Sequence, residues 1–183
     1  KSVDGIILAS LATDSGYVTD LIEIGIPIVT FDRRLIGSSI DCVAVDNLDG
    51  GKIAVNHLLS LDHRNIGFVS SPIIVTSRQD RYAGYRKALQ AAGIPFVDDF
   101  VRIDSSAEND YRDFNYEFRI GFALAQDLIQ ENPDVTAIFA VNDMTALGVI
   151  KAAQQLGRDV PEDISVIGFD DIPMAEMSTP TLT

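Results

Sequence analysis

A doubly wound α/β fold, with parallel sheets flanked by helices, is what this sequence predicts. Three observations carry the prediction: seven short apolar runs, helical patterns between most of them, and turn residues at their boundaries. A short unbroken apolar run fits a strand covered on both faces, and alternation with helices favours parallel pairing through crossovers.

The strand-like runs are Gly5–Ala9, Ile26–Phe31, Cys42–Val45, Ile66–Ser70, Phe100–Ile103, Ala137–Val141 and Ile164–Phe169. Helices are expected over Tyr17–Ile24, Gly51–Leu61, Arg81–Ala92, Arg119–Gln130 and Met144–Leu156. There apolar residues recur three and four apart, as in Val18, Leu21 and Ile22 or Ile53, Leu58 and Leu61. Gly25, Gly93 and Gly157 follow three of these helices, where a C-terminal cap needs a left-handed residue. Asp104–Phe118 has no period of either kind. Long loops in compact domains are usually functional or mobile.

With 14 Lys and Arg against 27 Asp and Glu, the chain carries a net charge of -13, which repels a phosphate backbone. DNA binding by this segment alone is therefore not expected. Cys42 is the single cysteine, so no intrachain disulfide forms, and a buried structural thiol is the expectation. No apolar stretch is long enough to span a bilayer. The chain starts almost inside a strand, as expected of a segment of a longer protein.

Ligands of open parallel sheets are met beyond the carboxyl ends of the strands, which singles out Asn142-Asp143 and Asp170-Asp171. Each of these residues is also a good helix cap, as is Asp49 ahead of the helix expected near Gly50. His57 and His63 have no partner at metal-ligand or triad spacing. There is no GxSxG elbow, HExxH, GxxxxGK loop or GxGxxG after a strand, so neither catalytic residues, nor a metal, nor a cofactor are expected.

Eight pieces, VDGIILAS, GIPIVTFDR, VAVDNLDGG, HLLSLDHRNIGFV, SRQDRYAGYRKALQAAGI, TAIFAVNDMTALGVIKAAQQLG, VPEDISVIGFDD and PTLT, occur in one order. In that order they resemble the effector-binding domain of the lactose-repressor/galactose-repressor family of bacterial transcription regulators. The resemblance implies a two-lobed periplasmic-binding-protein-like fold of type I with an effector held between the lobes. It implies that residues 1–45 belong to the first, incomplete lobe, 46–170 to the second, and 171–183 to a crossover returning toward the first. It also implies a cytoplasmic homodimer that reaches operator DNA through an N-terminal helix-turn-helix lying outside this segment, with no membrane partner.

By position in the matching motifs, the family's effector contacts fall on Asp49, Arg81, Asn142 and Asp170, with Ser77 and Tyr116 as further candidates. Such a set suits a small sugar or related metabolite: Arg81 presents a planar fork of donors, the aspartates accept from hydroxyls, and Asn142 does both. Tyr111, Phe114 and Phe118 share the aromatic stretch with Tyr116, any of which could cover the core instead. The alternatives are a periplasmic sugar-binding protein of a transporter, with the same fold, and a sugar-modifying enzyme using the same cleft.

Overall fold

A computed structural model describes residues 3–9, 16–32, 34–35, 39–105 and 113–183. Among these residues, seven parallel strands form two sheets. The first, in the order β1-β2-β3, comprises β1 (Ile6–Leu8), β2 (Ile28–Phe31) and β3 (Asp41–Val43), with α1 (Gly16–Glu23) between the first two. The second, in the order β5-β4-β6-β7, comprises β4 (Ile66–Ser70), β5 (Val101–Ile103), β6 (Ala137–Ala140) and β7 (Ser165–Ile167). Its helices are α2 (Asn47–Ser60), α3 (Thr76–Ala91), α4 (Tyr116–Glu131), α5 (Asp143–Gln155) and the short α6 (Pro173–Met177).

Every residue of β4 and β6 is buried, because helices cover both faces of this sheet. Strand periodicity divides the core in two. Val69, Ile138, Ala140 and Val166 pack with the apolar side chains of α4 and α5, whereas Phe68, Phe139, Val141 and Ile167 pack with those of α2 and α3. In the first sheet the same alternation puts Ile7, Val29, Phe31 and Val43 on an exposed face.

Two corrections concern the helices. The buried face of α2 is Asn47, Gly51, Ala54, Val55 and Leu58, so Ile53 and Leu61, expected on the core stripe with Leu58, stand at the surface. Apolar spacing cannot choose between two overlapping stripes; the small residues win because α3 lies close against them. α3 also begins five residues before Arg81, at Thr76, since a polar first turn carries no hydrophobic period. Cys42 is half-buried in β3 rather than sealed in the core.

Both helix pairs approach through reciprocal glycines. A Cβ on Gly51 would strike the backbone of Arg81, and one on Gly84 the carbonyl oxygen of Leu48; Gly121 and Gly148 play the same parts between α4 and α5, against Thr145 and Phe118. These contacts draw Asn47 toward Arg81, and Glu117 toward Thr145.

Beyond β7 the chain stays with the second sheet as far as Thr183: Gly168 donates its N–H to the Thr183 carbonyl, Leu182 to that of Ala175. At the opposite edge His63 ties strand beginnings together, with Nδ1 3.0 Å from Thr136 Oγ1 and Nε2 3.0 Å from Ser165 Oγ.

Two outcomes are expected. Gly84→Ala and Gly148→Ala each cost about 1–3 kcal/mol in urea unfolding, since the clashing atoms are backbone. Burial lowers the His63 pKa below its ordinary 6.5, so the unfolded chain takes up the proton first as pH falls. Stability is therefore retained above pH 6.5 and declines below it, and a His63→Gln variant shows a flatter melting temperature across that window.

Candidate effector site

Arg81 is the hub of the strand-end cluster. Its position in the second turn of α3, beside the Gly51–Gly84 approach, pushes the guanidinium under the ends of β6 and β7, where the residue is 7% exposed. Nε donates to Asn47 Oδ1 at 2.9 Å, one terminal nitrogen to the Val141 carbonyl at 2.8 Å, and the other to Asp170 Oδ1 at 3.0 Å. The guanidinium carbon lies 3.7 Å from the centroid of the Phe169 ring, a cation–π contact on a largely desolvated group. Because α3 starts a turn earlier than the expected Arg81, the guanidinium is clear of the helix N-terminus, and its charge is met by Asp170.

Burial pulls the Arg81 pKa down and pushes that of Asp170 up, each partly offset by attraction between the two. Asp32, at the end of β2, adds its field to both. Desolvation thus opposes the charge on both groups and their mutual attraction favours it, an arrangement that contributes little to stability and marks a candidate site. The backbone agrees: Asp170 and Asp171 take φ of 111° and 56°, conformations costing of order 1–3 kcal/mol each for residues other than glycine. Asp143, 3% exposed, holds this turn by accepting from the Ile172 N–H at 2.8 Å.

A cavity of about 650 Å³ opens beside the cluster, bounded by Asp32 and Val45 from the first lobe and by Ile53, Arg81, Phe169 and Asp170 from the second. The Asp170 side chain, 41% exposed, offers its carboxylate to whatever occupies that space. The lining joins a flat ring, apolar side chains, a fork of donors and carboxylate acceptors, as a polyol requires.

The other expected residues are placed as follows. Asn142 caps α5, with Oδ1 accepting from the Thr145 N–H at 2.9 Å, and it adjoins Val141, whose carbonyl receives Arg81. Asp49 is not brought into the cluster. α2 starts at Asn47, three residues ahead of the expected Gly50, under an Asp46 cap, so Asp49 falls in the first turn with its side chain 56% exposed and 3.4 Å from Lys52.

Ser77 is buried in the first turn of α3 and borders a second interlobe cavity with Asp32 and Asp80; it is no cap, the N-cap position being Val75. Tyr116 opens α4 rather than lying in a loop, is 8% exposed, and donates its hydroxyl to Asp104 at 2.8 Å. Phe114 is exposed, Phe118 lies within α4, and Tyr111 lies outside the described residues. Asp143 and Asp171, expected to be caps, instead shape the turn that aims Asp170.

Asn47 and Phe169 were not expected. Both stand inside quoted motifs, VDNLDGG and GFDD, next to the residues that drew attention, and only packing shows that they hold Arg81 from two sides. A buried network also escaped notice: Arg78 donates to the Pro72 carbonyl and to Glu117, and Glu117 accepts from the Thr145 hydroxyl at 3.2 Å. It locks the first turns of α3, α4 and α5 together below the site. Asn142→Ala is expected to lose about 0.5–2 kcal/mol through the lost cap, and Asn142→Asp to keep most of it, as read by chemical denaturation.

Comparison with known proteins agrees with this architecture. Residues 55–183 match the family described as periplasmic binding protein-like domain. The HTH-type transcriptional regulator CelR of Thermobifida fusca is 35% identical over the whole chain, which covers 52% of that protein. The chain spans about half the length of the curated relatives it matches. Among solved structures, a CelR–cellobiose complex superposes with a TM-score of 0.87 at 34% identity, over 98% of this chain and 53% of that one. A regulatory protein of the LacI family from Chloroflexus aggregans superposes with a TM-score of 0.85 at 30% identity, over 98% and 61%. The chain belongs to the periplasmic-binding-protein-like domain family, in the form carried by lactose-repressor/galactose-repressor transcription regulators.

Proposed function

We propose that this chain is the effector-sensing core of a bacterial transcription regulator, and that it binds a small sugar or related metabolite between its lobes. The observation that carries the reading is the ion pair of the buried Arg81, stacked on Phe169 at the strand ends, with the exposed Asp170, which faces an interlobe cavity. An ion pair set on a strained turn at the mouth of a cavity fits a ligand site better than a structural strut.

In this reading the same groups serve binding. Asn47, Val141 and Asp170 hold the guanidinium in place, and its remaining N–H groups and the Asp170 carboxylate meet the hydroxyls of the effector. Asn142, beyond β6, and Tyr116, bonded to Asp104 beyond β5, are assigned to the rim of the site; Ser77 borders the adjoining cavity, and Asp49 contributes least. Coupling to DNA requires only that the effector bind one lobe arrangement more tightly than another, and operator binding then alters effector affinity by the same factor. In this reading the protein acts as a cytoplasmic homodimer, and a helix-turn-helix beyond this segment meets the operator.

Because the CelR complex holds cellobiose, that sugar heads the screen, followed by other disaccharides, monosaccharides and nucleobases. A bound compound raises the melting temperature of the parent protein with the logarithm of its concentration. Asp170→Asn, which keeps the shape of the side chain, is expected to weaken that stabilisation at least about tenfold in apparent affinity. Arg81→Lys, which loses the planar fork, is expected to do the same while the apo protein still melts cooperatively. Undiminished binding by both variants removes the site assignment.

A further inference from the structure

Outside the Arg81 cluster, contacts of Arg34 also join the lobes. Arg34 lies beyond β2 in the first lobe, and its backbone N–H donates to Thr76 Oγ1 at 3.2 Å, while its guanidinium reaches Asp80 Oδ2 at 2.5 Å. Thr76 and Asp80 are one turn apart on α3, so main chain and side chain of one residue grip two successive turns of the helix that carries Arg81. Beside this grip lies a cavity of about 500 Å³, bounded by Cys42 and Ala44 on one side and by Asp46, Ser77 and Asp80 on the other.

We propose that the Arg34–Asp80 pair is an interlobe latch that favours the lobe arrangement described and thereby sets how readily the effector shifts the lobes. Because its two ends lie on different lobes, the pair exists only in an arrangement near the one described, and a separation of a few ångströms breaks it. Its strength is tuned for reversibility. The arginine side chain is 64% exposed and the aspartate 27%, so solvent and salt screen the attraction, and the latch biases the equilibrium without locking it. Asp46 and Asp32 line the same cavity, so an acidic residue at position 34 would be repelled there as well as from Asp80.

The regulatory meaning rests on the effector reading, but the latch itself is testable without any effector. Spin labels at Glu23→Cys on α1 and Gln90→Cys on α3, both exposed positions, in a Cys42→Ser background, report the interlobe distance by pulsed electron resonance. Arg34→Asp is expected to lengthen and broaden that distance. The exchange Arg34→Asp with Asp80→Arg is expected to restore it, and molar salt to move the parent toward the single variant. An unchanged distance in Arg34→Asp overturns the latch, as does a lengthening that the exchange fails to reverse. If the distances behave as expected while no compound in the screen binds, the latch stands and the effector reading fails.

Discussion

Everything at the strand ends depends on the burial of one guanidinium. Arg81 is held where water cannot satisfy it, so Asn47, the Val141 carbonyl and Asp170 must do so, and each belongs to a different element. The start of α2, the end of β6 and the turn beyond β7 are thereby brought to one point. Loss of any partner would leave a desolvated donor, a larger cost than the net contribution of the bond itself. That asymmetry makes the cluster rigid although neither member of its ion pair gains from being buried.

Close helix packing makes the burial possible. Gly51 and Gly84 let α2 and α3 approach until backbone meets backbone, which sets Arg81 beneath the strand ends instead of in solvent. On the other face of the sheet Gly121 and Gly148 do the same for α4 and α5, and Arg78, Glu117 and Thr145 close the gap between the two pairs. The candidate site is thus mounted on a closely packed second lobe, which the first lobe meets through polar contacts that include those of Arg34 with α3. A rigid half that carries recognition and a loosely joined half that can move is the arrangement a hinge-type sensor needs.

Much of the fold was legible in the residues. Six of the seven apolar runs contain a strand and the seventh, Cys42–Val45, overlaps one, and each of the five helical patterns overlaps a helix, because burial on both sheet faces and on one helix face leaves periodicities of its own. Misplaced features share one cause. The first turns of α2 and α3 are polar and carry no period, so both helices were expected to start late, and that shift turned Asp49 into a cap candidate and Arg81 into a residue of a helix start. Ile53 and Leu61 were read onto the core because an apolar stripe of α2 looks the same whether or not a neighbour covers it.

For the site, the sequence alone determined which residues have the chemistry to meet a ligand and that the strand ends are where they gather. Arg81, Asp170 and Asn142 follow from motif position together with the rule that parallel sheets bind at their carboxyl ends. Only the tertiary structure decided which of them meet: that Asp170 is turned onto Arg81 by two left-handed residues, that Asn47 and Phe169 complete the cradle, that Asn142 spends its carbonyl oxygen on a helix cap, and that Asp49 faces Lys52. The reason is physical. Residue type and spacing encode local periodicity, whereas a contact across 34 or 89 residues depends on how closely two helices and a strand end can approach, and that is fixed by packing.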